Sequence, residues 1–458
     1  EPLTVEHVLE ICRHEKPVGV IGQFGGRAAE KLIVALQAEG VHILGTDPGS
    51  LNLAGDWHQF QDMMNKIAVP VPESGSAVQP EDALHVAEQI GYPVVLHIGD
   101  SKTIIHDPAT LETAMKKAGI TADYPVYLDR FLHTALKCEA DAVSDGRHVF
   151  IPAVMEHIEL AGIPSGDSAC VIPSRHIAGE ALKQIQKYTE KIAVSFHVMG
   201  LMNIRYAIED DQVYVLEVNL GGSRTMPLVS KLCHIPLPEL AAEIMTLPLT
   251  GKESPVPSLT ERHIPFYGVK ESVFPFDMFP EVDPVLGPEM RSTGEVLGLA
   301  KTSGEAFYKA EEAAGGTLPL EGAVLISVSD ADKPYIAAIA QEFAEDDFAI
   351  YATDKTFELL QAACIPVKRA NKLGEGSPNI EDLIADGTVQ MVINTPSVRK
   401  DAADDDGALR KAAVRAHIPY VTTIVAARAS VEGMHRMITH GRSPVLSLQE
   451  WQHTITDK

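Results

Sequence analysis

Cysteine is scarce in this sequence: Cys12, Cys138, Cys170, Cys233 and Cys364 are the five among 458 residues, an odd number with no CxxC pair. Such usage argues against a disulfide framework or a thiolate zinc site and for buried thiols in a reducing compartment. Positive charge is short as well. Lys and Arg number 38 against 63 Asp and Glu, a formal charge of −25, so long-range electrostatics repel nucleic acid and anionic membrane. A nucleotide is anionic too, and any site for one must bring its own local cations or a metal. No apolar run approaches membrane-spanning length, the N-terminus has no signal-peptide pattern, and no internal repeat or low-complexity segment stands out. These absences predict a soluble, cytoplasmic protein that binds neither nucleic acid nor membrane.

What is present is an ordinary globular composition, 45% hydrophobic and 22% charged. The length exceeds what one core serves, so two or three domains are expected. Glu1 stands just ahead of an apparent helix, Thr4 to Arg13, with Thr4 as N-cap and Val8, Leu9 and Cys12 along one face. So abrupt an opening leads to the expectation that preceding elements have been lost. Strand Val18–Ile21, helix Ala28–Ala38 and strand His42–Gly45 follow. Gly22-Gln-Phe-Gly-Gly26 makes the first strand-to-helix turn; its glycines serve either an anion met by exposed amides or tight packing of helix on strand.

From about residue 57 the pattern changes. Helices Asp56–Ile67 and Glu81–Ile90 are mixed with short alternating strands at Pro93–His97, Val126–Leu128, Lys137–Val143, His148–Met155, Asn203–Ile208 and Val213–Val218, the pattern of an α+β clamp. The Pro-rich stretch Pro248 to Pro265 ends it. Phe274-Pro-Phe-Asp-Met-Phe-Pro280, helix Gly304–Ala314 and a linker at Ala313-Ala-Gly-Gly-Thr317 come next. Beyond the linker, strands Ala323–Val328, Phe348–Ala352, Val367–Lys368, Met391–Asn394 and Tyr420–Thr422 alternate with helices. That pattern is a doubly wound parallel sheet, expected to fold on its own.

Four constellations carry chemistry. Along Val213-Tyr-Val-Leu-Glu-Val-Asn219 a period of two sends Glu217 and Asn219 out of one face, either as hard oxygen ligands for Mg²⁺ between phosphates or as a solvated sheet surface. Glu156-His-Ile-Glu-Leu-Ala-Gly-Ile-Pro-Ser-Gly-Asp-Ser-Ala-Cys170 packs acids, a histidine, glycines and serines behind an apolar strand, a density that marks a ligand-binding loop. Gly287-Pro-Glu-Met-Arg-Ser-Thr-Gly-Glu-Val296 and Lys270-Glu271 fit a site or a surface loop equally well.

Glu156–Cys170, Gly287–Gly298 and Leu216–Asn219, with Glu15 to Gly26, resemble the C-terminal half of the large subunit of carbamoyl phosphate synthetase, and the resemblance runs essentially end to end. The resemblance implies a partial pre-ATP-grasp α/β domain over 1–56 and an ATP-grasp fold over 57–270. A connecting segment over 271–318 leads to a methylglyoxal-synthase-like regulatory domain over 319–458, the doubly wound parallel sheet. It implies phosphorylation of carbamate by Mg-ATP, for pyrimidine and arginine biosynthesis, with carbamate arriving by tunnel from an N-terminal synthetase half and a glutaminase subunit as a further partner. Allosteric nucleotides would bind the last domain, and ornithine near its junction with the ATP-grasp unit.

Carried over residue by residue, the match is uneven. Glu217 and Asn219 match metal ligands, Leu132 an adenine contact, and Gly162, Ile163 and Ser165 the loop along the nucleotide, with Pro164 where the family has histidine. Arg224 matches the second of two catalytic arginines, but the first is Gly221. Arg205 replaces a glutamine metal ligand, Lys137 the ribose-holding glutamate, and Arg130 a histidine. Leu96 stands at another arginine position, and the phosphate-covering loop after it is shorter, with one glycine. Phosphoryl transfer rests on positioning and on cations over the developing charge, and these changes remove much of both. Arg205 shares strand parity with Asn203, and a turn centred on Asp211 sets it opposite Glu217, where a guanidinium competes with Mg²⁺. Lys102 is the candidate replacement for a missing arginine.

The regulatory positions match better. Glu159, Asp167, Glu271, Tyr420 and Thr422 stand where ornithine contacts would be, three carboxylates for a cationic amino acid and hydroxyls for its carboxylate. Ser327, Lys333, Thr353, Thr356, Lys372 and Asn394 resemble phosphate and nucleotide contacts, although Thr353-Asp-Lys-Thr356 departs from the family's Thr-His-Gly-Thr and Pro396 replaces a hydroxyl-bearing residue. Three functions follow: a carbamate-phosphorylating half with a degraded ATP site, a non-catalytic effector-binding or scaffolding module, or an ATP-grasp ligase for another carboxylate.

Overall fold

A computed structural model describes the chain apart from residues 100, 118–124, 133–134, 160–162, 280, 288, 373–374, 397–399 and 458. It divides into two compact units: Glu1–Glu156 with Ile172–Ile264 and Leu448–Lys458, and His157–Val171 with Pro265–Ser447. Among the described residues no helix is long and apolar enough to cross a membrane.

The first unit opens with α1 (Val5–Glu15), capped by the Thr4 hydroxyl, which accepts from the His7 N–H at 3.4 Å. Such a cap contributes about 1 kcal/mol. Strands β1 (Val20–Ile21) and β2 (Ile43–Leu44) pair in parallel across α2 (Gly26–Ala38). A Cβ at Gly22 would overlap the Ile33 side chain of α2. Close packing of helix on strand therefore accounts for this glycine, and Gln23 beside it spends its amide on Thr46, Leu201 and Leu220. Helices α3 (Pro48–Gly55) and α4 (Trp57–Lys66) start at Asp47 and Asp56, whose carboxylates accept from Gly49 and Gln59.

Next comes a four-stranded antiparallel sheet in which β3 (Ser74–Ala77) and β6 (Val126–Arg130) flank the hairpin β4 (Val94–Ile98)–β5 (Ser101–Ile105) in the order β3-β6-β4-β5. Helices α5 (Pro80–Ile90) and α6 (Pro108–Lys117) contribute Ala83, Ala87, Leu111 and Met115 to the same core as Val94, Leu96 and Leu128. Leu96, at the position of a missing arginine, is thus a core residue. The segment expected as a phosphate-covering loop is this tight hairpin, with Gly99 at φ +57° where the chain reverses. A second antiparallel sheet uses β7 (Leu136–Asp145), β8 (Val149–Phe150) and β9 (Val154–His157); β10 (Cys170–Ile172) follows it in the chain. The single strand expected over 148–155 is broken because Pro152 cannot donate to a ladder. β11 (Met199–Glu209) lies between β7 and β12 (Gln212–Asn219), backed by α7 (Gly179–Ser195). Helices α8 (Met226–Cys233) and α9 (Leu237–Thr250) follow, and β13 (Arg262–His263) pairs with Thr456–Asp457.

In the second unit β14 (Tyr267–Val273) and β15 (Gly294–Ala300) form an antiparallel pair packed by α10 (Ser303–Ala314). Then β16 (Ala323–Ser327), α11 (Lys333–Glu345), β17 (Ala349–Thr353), α12 (Asp354–Ala362), β18 (Lys368–Ala370), α13 (Ile380–Ala385), β19 (Met391–Asn394), α14 (Lys400–Arg415), β20 (Tyr420–Val421) and α15 (Ile424–His440) alternate. The strands make one parallel sheet, order β18-β17-β16-β19-β20, with the expected doubly wound alternation. One of its cores is its own: Leu325, Val392, Ile384, Leu409 and Ala413. The other is shared, joining Ile326 and Ile393 to Val269 of β14 and Phe307 and Tyr308 of α10. Helices α10 and α15 cross backbone to backbone, a Cβ at Gly433 falling 2.9 Å from the Gly304 carbonyl oxygen. One core of the sheet thus runs on past residue 318 into β14 and α10.

Candidate functional site

The hairpin between β11 and β12 turns at Asp210 and Asp211, both at positive φ (50° and 61°), the conformation of a two-residue hairpin turn. From there the register runs Ile208↔Val213 to Tyr206↔Val215, then slips at a bulge so that Arg205 faces Glu217 and Asn203 faces Asn219. The pairing of Arg205 with Glu217 expected from a turn centred on Asp211 is reached by a different route, a tighter turn plus one extra residue at Leu216. The bulge also keeps Leu216, Glu217 and Asn219 partly exposed while Val215 and Val218 are buried.

Arg205 is the centre of this face. Its guanidinium donates to Glu217 at 2.9 Å and lies 3.2 Å from Glu139, whose carboxylate is 1% exposed. Lys102 reaches the same Glu217 oxygen at 3.1 Å from the β5 strand. Burial works against the guanidinium's charge, but the Glu217 and Glu139 carboxylates outweigh it and raise its pKa further. Beside it Asn203 donates to Asp141 at 2.9 Å, and the Ser223 and Thr225 hydroxyls donate to Asp141 at 2.6 and 2.9 Å. Burial still pushes the Asp141 carboxyl up to about 6, against those bonds. Asn219 donates to the Gly222 carbonyl at 3.3 Å. Arg205 and Lys102 hold the Glu217 carboxylate and Arg205 holds Glu139 beside it, so a Mg²⁺ ion at Glu217 and Asn219 would have to displace two cations.

Leu132, 2% exposed, packs with Ala135 and Ala207 against Tyr214 and Leu216 in a small apolar cluster. Arg130 at its edge pairs with Glu209 and lies 5.9 Å from the Tyr214 ring centre. Lys137 is buried. Arg224 is exposed and makes no hydrogen bond or ion pair among the described residues.

The other expected nucleotide residues, Ile163 and Ser165, belong to the second unit; Gly162 lies outside the described residues. Their loop is built around Lys270. Its ammonium, 1% exposed, donates to the carbonyls of Ser165, Gly166 and Ser168 at 3.0, 2.9 and 2.8 Å and to the Ser272 hydroxyl at 3.0 Å. A buried ammonium so fully bonded is a structural staple. Asp167, 1% exposed, accepts from the backbone N–H groups of Arg291 at 2.6 Å and Ser292 at 2.9 Å. It ties the second glycine-bounded motif to the first and is already bonded by its own chain.

Glu159 and Glu271 form an acidic cluster with Glu311, which the sequence did not single out because it lies in an ordinary helical pattern on α10. Burial pushes the Glu271 carboxyl up to about 7 against the bond it accepts from the Ser272 N–H. Burial, then the charges of Glu271 and Glu159, raise Glu311 well above the usual carboxylate range. Tyr420 is raised by burial first, then by Asp277 and Glu311. The hydroxyl that meets Glu159 is that of Thr423 at 3.5 Å, one residue beyond the expected Thr422.

At the carboxyl edge of the parallel sheet Ser327 and Thr353 share a hydrogen bond of 2.8 Å, and Thr356 accepts from the Val328 N–H. Lys333 pairs with Asp330, and Lys372 lies 3.4 Å from Asp354. Asn394 is fully buried and spent: its nitrogen donates to the Ser327 carbonyl and to Asp406, both at 3.0 Å, and its oxygen accepts from Arg410 at 2.6 Å. Arg410, 3% exposed, also grips both oxygens of Asp283 at 2.8 and 2.6 Å. Burial pulls Asp283 up, but Arg410 holds it below the usual range.

An ATP-grasp unit, followed by a doubly wound sheet with a hydroxyl-lined carboxyl edge, defines the class as an ATP-grasp synthetase module with an MGS-like domain. Three family models match in order: the carbamoyl phosphate synthase preATP-grasp domain at residues 1–53, the carbamoyl-phosphate synthase L chain ATP binding domain at 56–248, and the MGS-like domain at 335–422. The chain is 43% identical over 450 residues to the carbamoyl phosphate synthase large chain, C-terminal section, of Methanopyrus kandleri, covering 95% of this chain and 82% of that one. It is 42% identical to the section of the same name from Aquifex aeolicus, covering 95% and 84%. The chain belongs to the carbamoyl phosphate synthase large-chain family. Against the undivided large chain of Ralstonia nicotianae, 43% identical, it covers 95% of itself and 41% of that protein. Among solved structures, the biotin carboxylase domain of a single-chain bacterial carboxylase gives a TM-score of 0.52 at 16% identity, covering 68% of this chain and 75% of that one. The biotin carboxylase domain of Hydrogenobacter thermophilus 2-oxoglutarate carboxylase, in complex with MgADP, ADP and bicarbonate, gives 0.53 at 15%, covering 68% and 78%. Both likenesses are of fold.

Proposed function

We propose that this chain serves a cytoplasmic carbamoyl phosphate synthetase, for pyrimidine and arginine biosynthesis, as a C-terminal half that binds effectors and does not itself phosphorylate carbamate. The observation that carries this reading is Arg205 lying between Glu139 and Glu217, with Lys102 on the same carboxylate. The positive charge that Mg²⁺ would bring to Glu217 is already supplied from within, and a metal would have to evict two cations. The partners on this reading are an N-terminal synthetase half and a glutaminase subunit. Relatives are named as C-terminal sections of the large chain, which supports the first of these.

The effector role rests on the acids Glu159, Glu271 and Glu311, a seat for a cationic amino acid resembling ornithine, and on the hydroxyls and lysines at the sheet edge, a seat for phosphate. The test is calorimetry of the whole chain with ATP, in Mg²⁺ and in EDTA, beside titrations with ornithine and inorganic phosphate. Weak ATP binding that ignores Mg²⁺, with saturable ornithine and phosphate binding, is expected; tight Mg²⁺-dependent ATP binding overturns the reading. The apolar wall of Leu132, Ala135, Ala207, Tyr214 and Leu216 favours a second reading, retained binding of the adenosine moiety alone, which the EDTA titration also detects.

A further inference from the structure

The four-stranded sheet β3-β6-β4-β5 has a core of its own. Val94, Leu96, Val126 and Leu128 pack there with α5 and α6, apart from the core that joins Phe60 and Met64 of α4 to Ile204 of β11 and Val213 of β12. A small sheet with a separate core moves as one body unless side chains tie it to its neighbour. Three ties are present. From the β4–β5 hairpin Lys102 donates to Glu217 of β12 at 3.1 Å. At the end of β6 Arg130 pairs with Glu209 of β11. On the same β6 strand the Tyr127 ring lies on Trp57, the first residue of α4, with centroids 4.5 Å apart and planes 15° from parallel. Register puts two of these ties in one row: Lys102 stands opposite His97, and His97 opposite Tyr127, on the face turned away from the small core.

The ties hold the sheet without fixing it. The Lys102 and Glu217 side chains are 45% and 23% exposed, and ion pairs so open to solvent are weak. The stacked position also leaves Trp57 Nε1 and Asp129 Oδ1 buried with no hydrogen-bond partner among the described residues. Buried polar atoms in that state favour any arrangement that wets them. Contacts that close the sheet are thus set against atoms that gain by opening it, the balance a two-state element requires. The closed arrangement also obstructs. Lys102 and Glu217 are in hydrogen-bonding contact, so a phosphate or a cation entering between the hairpin and β12 must first part them.

We propose that the Lys102–Glu217 and Trp57–Tyr127 contacts form an autoinhibitory clasp, which holds the small sheet against the large one and restricts entry of a nucleotide polyphosphate to the face of β12. The clasp rests on the ATP-grasp assignment and not on the metal argument above, because it concerns entry and not the ligands of a metal. Glu217 keeps Arg205 when Lys102 is replaced, so the clasp opens without leaving a carboxylate unpaired.

Trp57 and Trp451 are the two tryptophans of the chain, and Trp451→Phe makes Trp57 a sole reporter. Acrylamide quenching is measured on the full chain in this background, alone and with Lys102→Gln or Lys102→Arg, each first checked for an unchanged circular dichroism spectrum. Lys102→Gln is expected to raise the quenching constant about twofold or more, the size of change a weak ion pair gives, and Lys102→Arg to leave it near the parent value. No change in Lys102→Gln shows that the two ties act separately and overturns the clasp. An equal rise in both variants shows that charge is not the tie and overturns it too. ATP is then titrated in EDTA into the wild type and Trp57→Ala, with Tyr127→Leu replacing the latter if it misfolds. Binding at least about threefold tighter is expected as the open population rises, and an affinity that does not rise overturns the autoinhibition. Neither readout uses Mg²⁺, so tight Mg²⁺-dependent ATP binding by the wild type would defeat the reading above and leave the clasp standing on Trp57.

Discussion

Arg205 and Glu217 face each other across the β11–β12 hairpin, 2.9 Å apart, only because a bulge at Leu216 advances β12 by one residue. Without the slip Arg205 would face Leu216, and Glu217 would pass to the buried side of the strand. The guanidinium therefore owes its place to the turn and the bulge together.

Replacing Arg205 with glutamine alone is expected to leave Mg-ATP binding weak, because Lys102 still holds Glu217 and Leu96, Gly221 and the short hairpin are unchanged. Calorimetry that finds tight Mg²⁺-dependent ATP binding in Arg205→Gln would show that the guanidinium was the single obstacle. Arg205→Ala should cost about 2–3 kcal/mol of stability, below the range for a fully buried pair because the arginine side chain is 34% exposed. The urea midpoint measures it, and Arg205→Ala combined with Glu139→Gln should recover part of the loss.

Asp167→Asn keeps the shape of a side chain that accepts two backbone N–H groups but offers one acceptor oxygen in place of two. A loss of about 1–3 kcal/mol is expected. Faster amide exchange should follow at Arg291 and Ser292 in particular. Exchange unchanged at those two amides would mean the bonds contribute nothing.

Glu271 gives the second unit a pH dependence with a definite sign. Its folded pKa of about 7 lies above the ordinary 4.5, so the folded state holds the proton more tightly than the unfolded state. The stabilisation is complete below about 4.5 and is lost as pH rises through about 7. The melting temperature of Glu271→Gln, relative to wild type, should therefore rise between pH 5.5 and 8. A cationic amino acid favours the ionised cluster, so its affinity for the wild type should increase over the same interval. A difference in melting temperature that stays flat with pH counts against the raised carboxyl.

Arg410→Ala leaves the Asn394 oxygen buried without its donor and frees Asp283. A loss of about 3 kcal/mol is expected by chemical denaturation. Arg410→Lys, able to reach one partner but not to span both, should recover less than half. Recovery to wild type would mean charge alone suffices and the fork geometry does not matter.

Much of the fold was legible. Period-two alternation marked β11 and β12, Thr4 and Asp56 stood where helix caps belong, and the strand–helix alternation after residue 318 announced the parallel sheet. Where Pro152 interrupts an apolar run the periodicity read straight through, because hydrophobic alternation does not register a missing donor. β5 and the β14–β15 pair were missed for a related reason. Lys102-Thr-Ile and Lys270-Glu-Ser read as polar segments, and only the sheet beside them gives their backbone groups partners.

The sequence alone determined the family, the carboxylate and amide on one strand face, and the positions where cations and hydroxyls stand, because these follow from residue identity and short spacing. Tertiary structure alone decided what those groups touch. Lys102 comes to Glu217 from 115 positions away, Lys270 staples a loop some hundred residues earlier in the chain, and Glu311 joins Glu159 and Glu271 from a helix with no motif of its own. No local pattern records such encounters. They arise when the buried faces of separate elements pack and leave their charged ends in the same low-dielectric space, where each must find a partner or give up its charge.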